Sequence, residues 1–205
     1  QDTFLGDQWA SSAPSLGLKA RDGRILDEGL ALLVDQTECG ISFGDVGFLI
    51  SGLDCAGDVG FTADRATGTA WVADSVDLAA VSRDGQQTTI SGANVDLVDW
   101  DATAGLVISA LVGEDLVRGI ATDGTVEWGV RVAGEVFDLA TADAGLVVVS
   151  VDDGRGGEIV ILDSVTGDQV VSYKVPEVPS VAVSSDGRSL GLITPDSVYF
   201  YEIDP

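Results

Sequence analysis

The chain has 205 residues, long enough for one sizeable hydrophobic core, and its 45% hydrophobic content and mean hydropathy of +0.29 exclude a disordered polymer. Its 34 acidic and 10 basic residues give a net charge of −24, which repels nucleic-acid phosphates, so we expect no nucleic-acid partner. No apolar run approaches the roughly 18 residues that cross a bilayer, so we expect no membrane-spanning segment.

The residue types that are missing limit the chemistry further. The sequence contains no His, the commonest general base and metal ligand in proteins. It also contains no Met, so Gln1 is not a natural translation start, and either a signal peptide has been removed or the chain has been trimmed. A processed chain with one pair of cysteines that could form a disulfide is typical of proteins outside the cytosol. The sequence therefore predicts an extracellular, periplasmic or cell-surface protein.

Tight turns recur at a regular interval and separate short β-branched or aromatic runs such as GLVISAL and EIVILD. One series of turns falls at Gly23, Gly68, Gly105, Gly145 and Gly187, at intervals of 45, 37, 40 and 42 residues. A second series falls near Asp45 and at Gly85, Gly124 and Gly167. Two interleaved series with one period predict four strands per repeat, as in the blades of a β-propeller.

Taken in chain order, the sequence predicts an all-β, five-bladed β-propeller that forms a single domain over residues 1–205, with four-stranded antiparallel blades. The predicted blades span about 14–55, 57–94, 95–135, 136–177 and 178–205. In the fourth blade the strands fall at 136–142, 145–152, 158–163 and 169–175. We expect the innermost strand of each blade to be the most buried.

The fifth blade offers only three strands, SVAVS, SLGLIT and SVYFYEI. Residues 2–15 align with residues 167–180, which hold a fourth strand and its exit loop. We therefore expect residues 3–10, TFLGDQWA, to pair beside SVYFYEI and to close the ring, which would remove a free sheet edge.

The two cysteines fall in the first predicted blade. Cys39 begins its third strand and Cys55 ends its fourth, on either side of the turn near Asp45. Antiparallel pairing of these strands would bring the two ends together, which predicts a disulfide. The alternative is a pair of free, buried thiols.

The repeats also resemble those of known propeller families. The segment SVAVSSDGRSLGLITPDSVYFYEI resembles repeats of WD-like and lactonase-like propellers, whereas ILDSVTGDQVVSYKV and ATDGTVEWGVRV are similar to the quinoprotein-like type. The resemblance covers nearly the whole chain and implies a propeller fold. It implies no single function, because these families include both binding scaffolds and enzymes.

The predicted topology sorts the acidic residues between two faces. Connections from second to third strands, and from each outer strand to the next blade, share one face, and this face is predicted to attract a basic protein or another cationic partner. Arg155 is the only base assigned to it. The predicted binding face comprises Asp35, Asp58, Asp74, Asp77, Asp96, Glu114, Asp115, Glu135, Asp152, Asp153 and Glu158. The acids Glu38, Asp54, Glu177 and Asp196 are predicted to lie on the same face.

The densest acidic cluster is VDDGRGGE, from Val151 to Glu158. Asp152, Asp153 and Glu158 offer the oxygen ligands that Ca²⁺ prefers, and the glycines would let backbone carbonyls approach a cation. The spacing differs from that of an EF-hand loop, so a solvated hairpin loop is the favoured interpretation. We therefore expect no cofactor, with Ca²⁺ as the alternative.

Two classes of function remain. A propeller can hydrolyse glycosides or lactones with carboxylates in its central funnel, where the candidates are Asp58, Asp96 and Asp138. Short loops, the lack of His and the one-sided acidity instead favour a non-catalytic, secreted or cell-surface binding scaffold. The sequence leaves the partner and the oligomeric state open.

Overall fold

A computed structural model describes residues 19–27, 29–35, 39–43, 46–57 and 59–203. Within these residues the chain forms β-strands joined by turns, and none of them forms a helix of the length and apolarity needed to cross a bilayer. Residues 3–10, the predicted closing strand, lie outside the described residues.

The strands form five antiparallel sheets in which each strand pairs with the next along the chain. Four sheets have four strands, and the fifth has, within the described residues, the three strands predicted from residues 178–205. The first sheet contains β1 (Lys19–Leu26), β2 (Gly29–Asp35), β3 (Gly40–Phe43) and β4 (Val46–Leu49). The second contains β5 (Gly60–Ala63), β6 (Ala70–Ala73), β7 (Leu78–Val81) and β8 (Gln87–Ile90). The third contains β9 (Leu97–Asp101), β10 (Leu106–Ala110), β11 (Leu116–Ile120) and β12 (Val126–Arg131). The fourth contains β13 (Glu135–Ala142), β14 (Leu146–Asp152), β15 (Gly157–Asp163) and β16 (Gln169–Val175). The fifth contains β17 (Ser180–Val183), β18 (Ser189–Ile193) and β19 (Val198–Glu202).

The chain divides into two compact units after Asn94, and each unit has its own core. The first unit buries Leu33, Ile41 and Val72 in a cluster drawn from the first and second sheets. The second unit buries Ile108, Val149 and Leu162 between the third and fourth sheets, and a smaller cluster joins the fourth sheet to the fifth. Burying each such side chain contributes about 1.5–3 kcal/mol, so these clusters hold the sheets of each unit together.

The middle strands of the sheets are the most buried, so the prediction that the innermost strands would be was wrong. All residues of β6, β7 and β10 are buried, whereas β5 and β9 mix buried and half-buried residues. A middle strand is paired along both edges, whereas an innermost strand is paired along one. The middle strands are accordingly almost continuously apolar, as is typical of strands covered on both faces.

The first turn of the repeating series lies at Gly29, not at Gly23. Strand β1 continues through Gly23, which pairs with Leu32, and the chain reverses only after Leu26. Gly29 has a φ of +110°, a value that glycine adopts most readily. The DGR sequence misled the prediction because Arg24 belongs to the strand, where its guanidinium donates a hydrogen bond of 2.8 Å to the carbonyl oxygen of Phe61.

The disulfide between Cys39 and Cys55 is confirmed. The two Cα atoms lie 5.2 Å apart, and both residues are buried in the core of the first unit. Cys39 directly precedes β3 and Cys55 follows β4, and Phe43 pairs with Val46 across the predicted turn. The bridge therefore ties together the two ends of the β3–β4 hairpin.

Candidate functional site

Acidic residues of the second unit lie at both ends of its sheets, and nine of them share one end. In an antiparallel sheet of successive strands, the connection from the second to the third strand and the exit from the fourth lie at the same end. We call this the acidic end of the second unit. Its acids are Asp96, Glu114, Asp115, Glu135, Asp152, Asp153, Glu158, Glu177 and Asp196.

The predicted binding face also included residues of the first unit. Asp74 and Asp77 lie in the connection from β6 to β7, at the corresponding end of the second sheet. Both carboxylates accept backbone hydrogen bonds, Asp74 from Asp54 at 2.7 Å and Asp77 from Gly92 at 2.7 Å. Asp35 is the last residue of β2, and Asp58 lies outside the described residues.

An ammonium group of the protein itself bridges two carboxylates of the VDDGRGGE loop. The Lys174 Nζ donates hydrogen bonds to Asp153 Oδ2 at 2.7 Å and to Glu158 Oε2 at 2.8 Å. The hydrogen bond from Lys174 lowers the pKa of both carboxyls, and the two carboxylates raise the pKa of Lys174. Among the described residues, no group of three or more His, Cys, Asp or Glu side chains is placed to hold a metal ion.

Other acids at this end hold the loops in place. Asp152 Oδ1 accepts a hydrogen bond of 2.7 Å from the Gly154 N–H, and Asp96 Oδ1 accepts one of 2.8 Å from the Val112 N–H. Asp115 forms an ion pair with Arg131. Arg155 is therefore not the only base here, because the outer strands β12 and β16 bring Arg131 and Lys174 to the same end. Sequence analysis missed these two bases because it considered loop residues only.

A cleft opens at this end between the β16–β17 connection and β19. Its volume is about 290 Å³. Two tyrosines, two prolines and two acids dominate the wall, and its lining residues are Val175, Pro176, Glu177, Pro179, Leu192, Thr194, Asp196, Ser197, Tyr199 and Tyr201. The two acids were assigned to this face from the sequence, but the cleft was not predicted.

Strand alternation and two glycines shape the cleft. Tyr199 and Tyr201 are two residues apart on β19, so they share one face of the sheet. Gly156 and Gly157 lie against the β16–β17 connection. An added Cβ would lie 3.0 Å from the Val175 carbonyl oxygen at Gly156 and 2.5 Å from the Glu177 carbonyl oxygen at Gly157. The backbone carbonyls that approach these glycines belong to the connection that lines the cleft.

The two acids of the cleft have no partner among the described residues, unlike Asp115, Asp153 and Glu158. Neither the Glu177 nor the Asp196 carboxylate forms a hydrogen bond or an ion pair with any described residue. Both side chains are exposed. No Lys or Arg lines the cleft, so its negative charge is not balanced within the described part of the chain.

Of the three candidate catalytic carboxylates, Asp58 is outside the described residues and Asp96 precedes β9 and binds a loop amide. Asp138 lies on the inner strand β13 and is engaged by the backbone. Asp138 Oδ1 accepts a hydrogen bond from the Leu139 N–H and Oδ2 accepts one from Val181 on β17, each at 2.9 Å. Burial raises the pKa of Asp138, while these backbone hydrogen bonds oppose the rise. Asp99, which sequence analysis did not single out, binds the Thr141 N–H of β13 at 2.8 Å in the same way. These carboxylates join the innermost strands of adjacent sheets.

The sequence matches no protein-family model and no curated protein. Solved structures are similar to it in fold. BamB from Moraxella catarrhalis is 14% identical, with a TM-score of 0.61 over 90% of this chain and 64% of that chain. Virginiamycin B lyase from Staphylococcus aureus is 13% identical, with a TM-score of 0.65 over 94% of this chain and 72% of that one.

A catalytically inactive His-to-Ala variant of the same lyase with quinupristin is 13% identical, with a TM-score of 0.64 over 92% of this chain and 71% of that one. The similar structures and the successive four-stranded antiparallel sheets indicate the same fold. This chain has a propeller-repeat fold. At this level of identity the likeness concerns the fold alone. The propeller-repeat chain spans 64% of the length of the BamB structure.

Proposed function

We propose that this propeller-repeat protein is a non-catalytic binding module that engages a basic protein partner through the acidic end of its second unit. The observation that carries the proposal is that this end combines a net negative charge, from nine acidic and three basic residues, with a cleft lined by Glu177 and Asp196. The three basic residues are Arg131, Arg155 and Lys174. Two of these bases are already paired with acids of the chain. The remaining field attracts cations and accelerates association with a basic surface.

Capture experiments with charge-reversed protein test this function. Asp153 and Glu158 are poor targets, because changing them also breaks their ion pairs with Lys174. Glu114→Lys with Glu135→Lys reverses two acids at the acidic end that form no ion pair with any described residue. We expect immobilised wild-type protein to retain basic proteins from its native extracellular fraction, and the variant to retain at least fivefold less of the same proteins, quantified by mass spectrometry. Equal retention by the two proteins would contradict the proposed function.

We further propose that residues 3–10 complete the fifth sheet and close a five-bladed ring. The exposure of β19 supports this proposal. All five residues of β19 are exposed, whereas β3 and β7, which are also third strands, are fully buried. A fourth strand would pair with the outer edge of β19, which has no backbone partner among the described residues.

We place the protein outside the cytosol, in an extracellular, periplasmic or cell-surface setting. The buried Cys39–Cys55 disulfide supports this location, since such bonds persist in oxidising compartments. No cofactor is proposed, because Ca²⁺ at Asp153 and Glu158 would have to displace the Lys174 ammonium. Calorimetric titration with Ca²⁺ is therefore expected to show no binding.

The alternative function is that of an enzyme, a glycoside hydrolase or a lactonase. The similarity to a lyase favours it, as does the raised pKa of Asp138, which suits a general acid. Against it, both oxygens of Asp138 accept backbone hydrogen bonds, and the sequence offers no His like the one that the inactive lyase variant lacks. Turnover on a panel of glycans and lactones that Asp138→Asn abolishes would establish the enzyme instead.

A further inference from the structure

The cleft beside β19 combines two kinds of surface that cations favour. The tyrosines Tyr199 and Tyr201 present aromatic rings on one side, and Pro176 and Pro179 present apolar surface on the other. The faces of aromatic rings carry negative electrostatic potential and attract cationic groups. With a volume of about 290 Å³, the cleft is at the lower limit of small-ligand sites and suits a single long side chain.

The carboxylates of the cleft are available to an external cation. Elsewhere at the acidic end, Asp153 and Glu158 share Lys174, and Asp115 is paired with Arg131. Glu177 and Asp196 line the same cleft and have no such internal partner among the described residues. A partner that supplies a cation would therefore gain charge-assisted hydrogen bonds without breaking an existing ion pair.

We propose that this cleft binds an arginine side chain from an extended basic segment of the protein partner. A guanidinium fits the observations better than an ammonium, because its plane stacks on tyrosine rings while its N–H groups bind carboxylates. The guanidinium lies against Tyr199 and Tyr201 and donates hydrogen bonds to Glu177 and Asp196. This inference rests on the proposed function and names the part of the acidic end that the partner enters.

Fluorescence anisotropy with a defined peptide tests the cleft. The probe is a labelled nine-residue peptide of Gly and Ser with Arg at every third position, compared with the same peptide carrying Lys or the uncharged citrulline. We expect the full chain to bind the Arg peptide most tightly and the citrulline peptide not at all. Replacing Glu177→Gln together with Asp196→Asn is expected to weaken binding at least tenfold, and Tyr199→Ser with Tyr201→Ser to do the same.

Two controls separate the cleft from general electrostatics. Glu114→Gln with Glu135→Gln removes the same charge from the same end, outside the cleft, and is expected to weaken binding less than threefold. Tyr199→Phe with Tyr201→Phe keeps the rings and is expected to retain binding. Thermal unfolding of each variant verifies that its fold is intact.

Several outcomes would overturn the inference. If the cleft variant and the control variant weaken peptide binding equally, the cleft is not the binding site, although the proposed function would still hold. Failure of the peptide to bind while basic proteins are still captured would overturn the inference about the cleft and leave the proposed function standing. Self-association that the Tyr→Ser variant abolishes in sedimentation experiments would assign it to a second copy. If the wild-type protein neither binds the peptide nor captures basic proteins, the proposed function is overturned as well.

Discussion

Many aspartates of this protein accept hydrogen bonds from nearby backbone N–H groups. Repeatedly, an Asp side chain accepts a hydrogen bond from the N–H two residues further along, the geometry of an Asx-turn. The described aspartates that do so are Asp54, Asp64, Asp74, Asp84, Asp123, Asp152, Asp153, Asp163 and Asp186. The shorter Asp side chain suits this geometry, which gives a structural reason for the 26 Asp among the 34 acids. These nine aspartates therefore stabilise tight turns as well as adding negative charge.

We predict that the ion pairs of Lys174 make the free energy of unfolding depend on pH in the acidic range. The folded-state pKa values of Asp153 and Glu158 are lowered by Lys174, so the pair contributes stability above the unfolded-state pKa of about 4. That contribution is lost as the pH falls through the lowered folded-state values. We expect Lys174→Met to lower the urea midpoint at pH 7, and the difference from wild type to shrink towards pH 2. Arg155→Gln, which removes an exposed base of the same loop, should show no such trend, and a parallel trend in both variants would contradict the assignment.

At the scale of elements, sheets of the second unit are joined through specific side chains that cross from one to the next. Trp128 of β12 packs its ring over Gly119 of β11 and Gly167, and its Nε1 donates a hydrogen bond of 2.9 Å to the Ser164 carbonyl oxygen. Thus an outer strand of the third sheet contacts the β15–β16 turn of the fourth. On the inner strands, Asp99 and Asp138 make the corresponding connections.

Adding one methyl group under Trp128 is predicted to weaken this junction. A Cβ at Gly119 would lie 2.5 Å from the indole, so Gly119→Ala must displace the ring and its hydrogen bond to Ser164. We expect a loss of about 1–3 kcal/mol in the free energy of unfolding, measured in urea. Gly129→Ala on β12 is the matched control, because its nearest contact would be 3.6 Å away at Arg118 Cγ, and its effect should stay below about 0.5 kcal/mol. Similar losses in both variants would show that strand propensity, not the indole contact, controls the effect.

At the scale of the whole molecule, two units with separate cores are each built from complete or nearly complete blades. The exposed third strand of the fifth sheet is the exception. Val198 and Phe200 on one face of β19 are 56% and 82% exposed, an apolar surface that isolated edge strands normally avoid. A completing strand would remove the free backbone edge and cover part of this surface.

Closure of the ring makes a prediction for hydrogen exchange. If residues 3–10 pair with β19, the amide hydrogens of β19 that point away from β18 are hydrogen-bonded and exchange slowly. Gly6→Pro removes one backbone donor and restricts the added strand, so we expect it to speed that exchange at least tenfold and to leave the β6 amides unchanged. Rapid exchange of the outer β19 amides in the wild type would contradict closure.

The sequence by itself determined the strand content, the three C-terminal strands of the last sheet and the disulfide, because these depend on turn residues and alternation over short stretches. It failed at Gly23, where a turn-like DGR lies within a strand, since only pairing with β2 distinguishes the two. Tertiary structure alone decided that Lys174 would pair with Asp153 and Glu158, and that Glu177 would line a cleft with Asp196 and Tyr199. Those contacts depend on strand register and on how adjacent sheets pack, and no local pattern encodes either.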